Sequence, residues 1–217
     1  MRLIYGTLMV VLAAILPGCA GPVSDGATEL NSIGERGVVV LSATHDEETG
    51  SRASTIFYID SSLDRRLLRS QATSDDPGKR SLSSERGSVY VLAMSPGPHQ
   101  VDGWQTTGGP FRLLPKAALP PLRFTVKAGE VVYVGNLHMS NVLGRPNVLS
   151  PWVPVAGTPE VRDRHEIDIA IAEEKAPAIK GRTLSEVLPL GTWGPTDPET
   201  RRNDEPFRMP PPLPPKK

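Results

Sequence analysis

Short runs of β-branched and aromatic residues, each cut off by glycine, proline or a polar cluster, recur from residue 36 onward and restrict the chain to strands. RGVVVLSA (36–43) and STIFYID (54–60) are two such runs, with the polar segment THDEETGSRA between them. RRLLRS (65–70) fits a third, shorter strand, after which QATSDDPGKRSLSSE reads as loop. GSVYVLAM (87–94) is continuously apolar, as expected of a strand covered on both faces. SPGPH (95–99) turns the chain, Gly97 supplying the positive φ of a Pro-Gly type II turn, and HQVDGWQT (99–106) returns. The stretch TGGPFRLLPKAALPP then reads as loop. In LRFTV, Leu122, Phe124 and Val126 alternate with Arg123 and Thr125, the pattern of a half-buried strand. KAGE (127–130) is a tight turn, from which VVYVGNLHM (131–139) is expected to pair back antiparallel as a hairpin. The 23 prolines and 20 glycines, about a fifth of the 217 residues, suit many short strands joined by turns.

The remaining segments are less regular. EVRDRHEIDIAIA (160–172) fits another strand with Val161, Ile167, Ile169 and Ile171 on one face, in competition with a helix starting at Asp168. TLSEVL (183–188) carries Thr183 and Glu186 at capping-box spacing and is expected to form a single helical turn. From residue 189 the chain is rich in proline and ends PPPLPPKK, an extended, disordered tail or spacer over 189–217 that would also suit a groove recognising polyproline II. Residues 20–35, AGPVSDGATELNSIGE, lack any period and read as a tether.

The start of the chain speaks to its address. Arg2 precedes an apolar stretch from Leu3 to Leu16, and the only cysteine, Cys19, follows at once in LPGCA. As a helix this stretch would cover about 21 Å at ~1.5 Å per residue, short of a ~30 Å hydrocarbon core, so it reads as a secretory leader and not as a span. Leu16-Pro17-Gly18-Cys19 resembles the lipobox of bacterial lipoproteins. That resemblance implies a diacylglyceryl group on the Cys19 sulfur, cleavage after Gly18 and acylation of the new amino group. Ala20, in place of Asp, implies sorting to the outer membrane with the domain on its periplasmic face. Two or three acyl chains hold a protein durably on a bilayer, whereas one gives only marginal attachment. The alternative is a soluble secreted protein with an incidental free thiol.

VYVLAMSPGPHQVDGW followed by LRFTVKAGEVVYVGNLHM resembles a group of bacterial lipoproteins built on a small β-sandwich of the transthyretin or carboxypeptidase-regulatory type. The likeness covers roughly residues 86–140 and implies a fold, not a chemistry. The expected class is therefore all-β: an antiparallel, transthyretin- or immunoglobulin-like sandwich over 36–188, with one or two short helical turns. It would stand between a tether over 19–35 and the tail.

Candidate chemistry is sparse. The 24 Lys and Arg balance 24 Asp and Glu, and losing Arg2 with the leader tips the chain slightly acidic, which gives no electrostatic case for nucleic acid. His45-Asp46-Glu47-Glu48 reads as a solvated loop, and consecutive residues rarely wrap one ion. His165, Glu166 and Asp168 read as cross-strand charge pairing. His99 and Asp102 flank the Pro-Gly turn without a G-x-S-x-G nucleophile elbow, and His138-Met139 supplies two soft ligands where a copper site needs more. Walker, dinucleotide and CxxC signatures are missing from the sequence. No catalytic residue, metal ligand or cofactor is expected. Trp104, Trp152 and Trp193 are candidates for a glycan- or peptide-binding face, although Trp104 and Trp152 are more readily placed under loops as core than Trp193. The expectation is a lipid-anchored, non-enzymatic envelope protein that binds or scaffolds a periplasmic protein or polymer. The alternative is a small-ligand or metal-binding module using the 45–48 or 99–102 loops, with a hydrolase a distant third.

Overall fold

The computed structural model describes residues 35–46, 53–60, 66–70, 85–145, 148–149, 151–194 and 198–202. The leader, the Leu16–Cys19 segment, the tether as far as residue 34, Glu47, Glu48 and the end of the chain from residue 203 lie outside the described residues.

In chain order the first elements are β1 (Gly37–Asp46), β2 (Ser54–Asp60), β3 (Arg66–Arg69), β4 (Glu85–Met94), β5 (Gly97–Gly108) and β6 (Phe111–Pro115). There follow β7 (Leu122–Val126), β8 (Val131–Gly144), β9 (Val153–Arg162), α1 (His165–Lys175), β10 (Thr183–Ser185), β11 (Gly191–Thr192) and β12 (Pro198–Arg202). The fold is all-β with one α-helix among the described residues. One sheet has the order β11-β9-β8-β1-β4, with β10 against β8; the other has β12-β6-β5-β2-β3, with β7 against β5. The first sheet is mixed. β1 runs antiparallel to β4 but parallel to β8.

Strand alternation accounts for the core. Val39, Leu41 and Ala43 of β1 share a buried cluster with Val132, Val134 and Leu137 of β8 and with Phe57, Ile59, Leu68, Trp104 and Phe124 from the other sheet. Each such side chain contributes roughly 1.5–3 kcal/mol when fully buried. The even positions of β1 face away from that core. Val38 and Val40 join Val89, Val91, Val131 and Tyr133 in a second cluster closed by Ala172 of α1, Ala176 and Ile179. With both faces covered, β1 is buried over nine consecutive residues.

Several expectations are corrected. The 122–126 and 131–139 segments are both strands, but they do not form a hairpin: β7 pairs with β5 in one sheet, and β8 with β1, β9 and β10 in the other. The KAGE turn therefore carries the chain across the core. Inward-facing Phe124 and Val134 meet the same interior from opposite sides, and alternation cannot tell facing strands from paired ones. The expected loop after β5 contains β6, which pairs with both β5 and β12. The 160–172 segment splits, β9 ending at Arg162 and α1 starting at His165; Asp168 and Ala172 are its buried helix positions at i,i+4 spacing. Thr183–Ser185 is strand, not a helical turn, because Glu186 and Leu188 continue its ladder by donating backbone N–H bonds to Tyr133 and Val134. This segment occupies the stretch of β8 that precedes its pairing with β9.

The domain also does not end at residue 188. β11 extends the first sheet and β12 the second, and between them Trp193 is only 3 % exposed and belongs to the shared core. An extended tail from residue 189 is thus replaced, as far as residue 202, by segments built into both sheets.

Candidate functional site

On the outer face of β1 the chemistry changes midway, from Val38 and Val40 to Ser42 and Thr44. The matching change on β8 depends on a bulge. Val40 is level with Tyr133 but Leu41 with Gly135, so Val134 is the extra residue, and Gly135 takes φ 116°. The shift turns Asn136 and His138 onto the outer face beside Ser42 and Thr44, and sends Leu137 and Met139 into the core.

These side chains form one buried hydrogen-bonded chain. Ser42 Oγ donates to Asp168 Oδ2 at 2.5 Å, and the Tyr133 hydroxyl donates to the same oxygen at 3.1 Å. Asn136 Nδ2 donates to Ser42 Oγ at 2.7 Å and to Thr44 Oγ1 at 3.0 Å. Thr44 Oγ1 lies 2.8 Å from His138 Nδ1, and His138 Nε2 lies 3.1 Å from Asp46 Oδ1. The Asn141 backbone N–H donates to the other Asp46 oxygen at 3.1 Å. Two aspartates, one delivered by the helix and one by the end of β1, are thereby joined through four uncharged or titratable side chains.

Over this chain lies an ionic cover. Glu85 accepts from Arg162 Nη1 at 2.7 Å and, through its other oxygen, from Arg164 Nη1. Arg162 also bonds Glu160 at 2.9 Å, while Arg164 Nε stands 3.9 Å from Asp168 Oδ1. Asp168, Asn136, Thr44 and His138 are fully buried, and the cluster reaches solvent through Asp46 and Arg162.

The electrostatics differ at the two ends. Burial pushes the Asp168 carboxyl above its ordinary 3.8, opposed by Ser42, Arg164 and Tyr133. Burial and the neighbouring Asp168 raise the Tyr133 phenol, so it remains a donor. Burial lowers the Arg164 guanidinium, with Asp168 opposing. At Asp46, burial acts upward but is outweighed by the His138 hydrogen bond and charge, the Asn141 N–H and Arg162, leaving the carboxyl below its ordinary value.

Beside the cover, the start of α1 opens onto a cavity of about 530 Å³ lined by Asp163, Arg164, His165, Glu166, Ile167 and Ser185. Asp163 Oδ1 accepts the His165 backbone N–H at 3.0 Å, and the His165 ring meets Tyr133 edge-on at 5.3 Å. This wall combines two carboxylates, a guanidinium already held by Glu85 and an exposed isoleucine, a lining suited to a ligand with both polar and apolar parts.

The residues singled out in the sequence are scattered. His45 is not in a solvated loop: it belongs to β1, is 1 % exposed, and its Nδ1 is 2.8 Å from Ser70 Oγ. Asp46 ends the same strand. His99 is buried, stacked on Phe124, with Nε2 held by the Ser95 carbonyl at 2.8 Å. Asp102 is half-buried at a bulge of β5, between the positions matched to Tyr58 and Ile59. His165 and Glu166 lie on a helix with Asp168, so cross-strand pairing is corrected to a helix N-terminal cluster. His138 and Met139 point to opposite faces of β8. Among the described residues, no group of three or more His, Cys, Asp or Glu is placed to hold a metal ion, and no helix is long and apolar enough to cross a membrane.

The tryptophans do not make one face. Trp104 and Trp193 are in the core, the latter donating Nε1–H to the Pro120 carbonyl at 2.7 Å, whereas Trp152 is 46 % exposed beneath Arg145. Trp152 and Trp193 thus exchange their expected places. Cys19, Leu16, Pro17 and Gly18 lie outside the described residues. The buried network itself was missed in the sequence; its one local signal is the pair of alternating polar positions Ser42/Thr44 and Asn136/His138 inside apolar strands.

Compared with protein-family models and with curated proteins, the chain gives no match. Among solved structures it is similar to a leucine-rich repeat protein from Bacteroides thetaiotaomicron, at 12 % identity and a TM-score of 0.28, over 58 % of this chain and 21 % of that one. The chain thus aligns with about a fifth of that protein's length, a likeness too slight to carry an argument.

Proposed function

We propose that the chain is a lipid-anchored, non-enzymatic lipoprotein of a bacterial cell envelope, held at the periplasmic face of the outer membrane through acylated Cys19, and that it binds or scaffolds a periplasmic protein or polymer. The observation that carries this reading is the placement of the only thiol, directly after an apolar stretch, in Leu16-Pro17-Gly18-Cys19. The fold reading within it is a β-sandwich of the transthyretin or carboxypeptidase-regulatory type, supported by two sheets that share one core.

Support for contact over catalysis comes from where reactive groups lie. His45, His99 and His138 are buried and hydrogen-bonded within the domain, while Ile167, Leu184 and Leu190 remain exposed. A second reading, a small-ligand module, is favoured by the cavity at the start of α1. Of the 45–48 and 99–102 loops, His45 and His99 are enclosed and not offered to a ligand, while Glu47 and Glu48 lie outside the described residues.

Mass spectrometry of the mature N-terminal peptide tests the anchor: a triacylated or diacylated Cys19 is expected, and an unmodified thiol overturns the proposal. Cys19→Ser is expected to block acylation and cleavage. In-cell crosslinking of wild type, of an Ile167→Asp variant and of a chain lacking 203–217 then locates the partner; an unchanged crosslink pattern in both altered chains rejects the cavity rim and the proline-rich end as its seat.

A further inference from the structure

Beyond the last β1 pair, His45 with Met139, β8 and β9 pair on through residues 140–144 and 153–158 with no further described strand beside them in their sheet, while Val153 stays buried against Gly109, just past the end of β5. At this hairpin end Val142 is 58 %, Val148 87 %, Leu149 97 % and Val155 41 % exposed, together with Trp152. From Ser140 to Pro159 the chain has no carboxylate, although Asp and Glu number 24 in all, and its single charge is Arg145, stacked 5.1 Å over the Trp152 ring. We propose that this tip is a lipid-contacting wedge that enters the interfacial layer of the membrane carrying the chain's own anchor.

Three observations choose a bilayer over a protein. The side chains of Val142, Val148, Leu149 and Val155 are each open to solvent at one end of a single hairpin, where immersion in lipid needs no complementary surface. Tryptophan with a neighbouring arginine is the pairing favoured at a membrane interface, where the ring sits at headgroup level and the guanidinium reaches toward phosphate. The missing carboxylates remove the repulsion an anionic leaflet would exert.

Chain length agrees. β1 begins level with the start of β8, about 43 Å from its end at ~3.3 Å per residue. The 18 steps from Cys19 to Gly37 reach up to about 60 Å. Anchor and tip can therefore touch one surface together, and anchoring raises the tip's effective concentration there.

The inference rests on the anchored reading, so its test supplies the anchor chemically. The full chain is coupled through Cys19, its only thiol, to a maleimide lipid in vesicles of phosphatidylethanolamine and phosphatidylglycerol, with and without mid-chain brominated acyl groups. Bromolipid is expected to quench part of the tryptophan emission. Trp152→Phe removes that part, and Val148→Asp/Leu149→Asp abolishes it with Trp152 retained and the near-UV circular dichroism of buried Trp104 and Trp193 unchanged. Equal emission in plain and brominated vesicles, or quenching that survives Trp152→Phe, overturns the wedge. Because coupling bypasses natural acylation, an unmodified Cys19 in the cell would refute the anchor without bearing on this result.

Discussion

Asp168 is the residue on which the outer face of the first sheet closes. Its Oδ2 receives two hydroxyl donors, from Ser42 and Tyr133, in a fully buried position. Asp168→Ala strands both, and leaving a buried polar group unpaired costs roughly 1–3 kcal/mol each. Chemical denaturation of this variant is expected to show a loss of about 2–4 kcal/mol. The two linked aspartates also predict opposite pH behaviour. The Asp46 carboxyl is lowered, so it contributes stability above the unfolded value of 3.8 that is lost as pH falls through its folded value. The Asp168 carboxyl is raised, so its protonation favours the fold at low pH and that contribution is lost as pH rises through its folded value. Urea unfolding from neutral pH to below 3.8 is therefore expected to show a shallower acid loss in Asp46→Asn and a steeper one in Asp168→Asn; identical slopes would contradict the pairing.

At the scale of elements, the bulge in β8 decides which side chains meet. Strict period-2 reading of VVYVGNLHM puts Leu137 and Met139 on the same face as Tyr133; the extra residue Val134 reverses this and delivers Asn136 and His138 instead. A side chain at Gly135 would suffer a φ of 116° and press on Val187 and the Arg162 carbonyl at 3.3 and 3.4 Å. Gly135→Val is expected to lower stability by about 1–3 kcal/mol or more, and amide exchange should accelerate on both sides of β8. The helix was obscured for a related reason. Ile167, Ile169 and Ile171 spell a strand at period 2, while Asp168 and Ala172 spell a helix, and a charged residue at a buried helix position carries no apolar signal. Its aspartate is intelligible only once Ser42 is opposite.

For the whole molecule, the segment after residue 188 ties the two sheets together: Trp193 fills the core between β11 and β12. Trp193→Ala is expected to cost about 3–5 kcal/mol, measured as a lowered denaturation midpoint. Deleting 189–217 should therefore unfold the domain, where a dispensable tail would leave it intact. Read alone, the order of residues determined the all-β class and most of the strand cores, because alternation and turn chemistry act over a few neighbouring positions. It also determined the expectation of a lipid address, which lies in four consecutive residues. Which strands pair, where the chain crosses between sheets and how Ser42, Asn136, His138 and Asp168 come together were decided only by tertiary structure. Those outcomes depend on one bulge and on contacts between residues as far as 126 positions apart, and no local pattern encodes such a meeting.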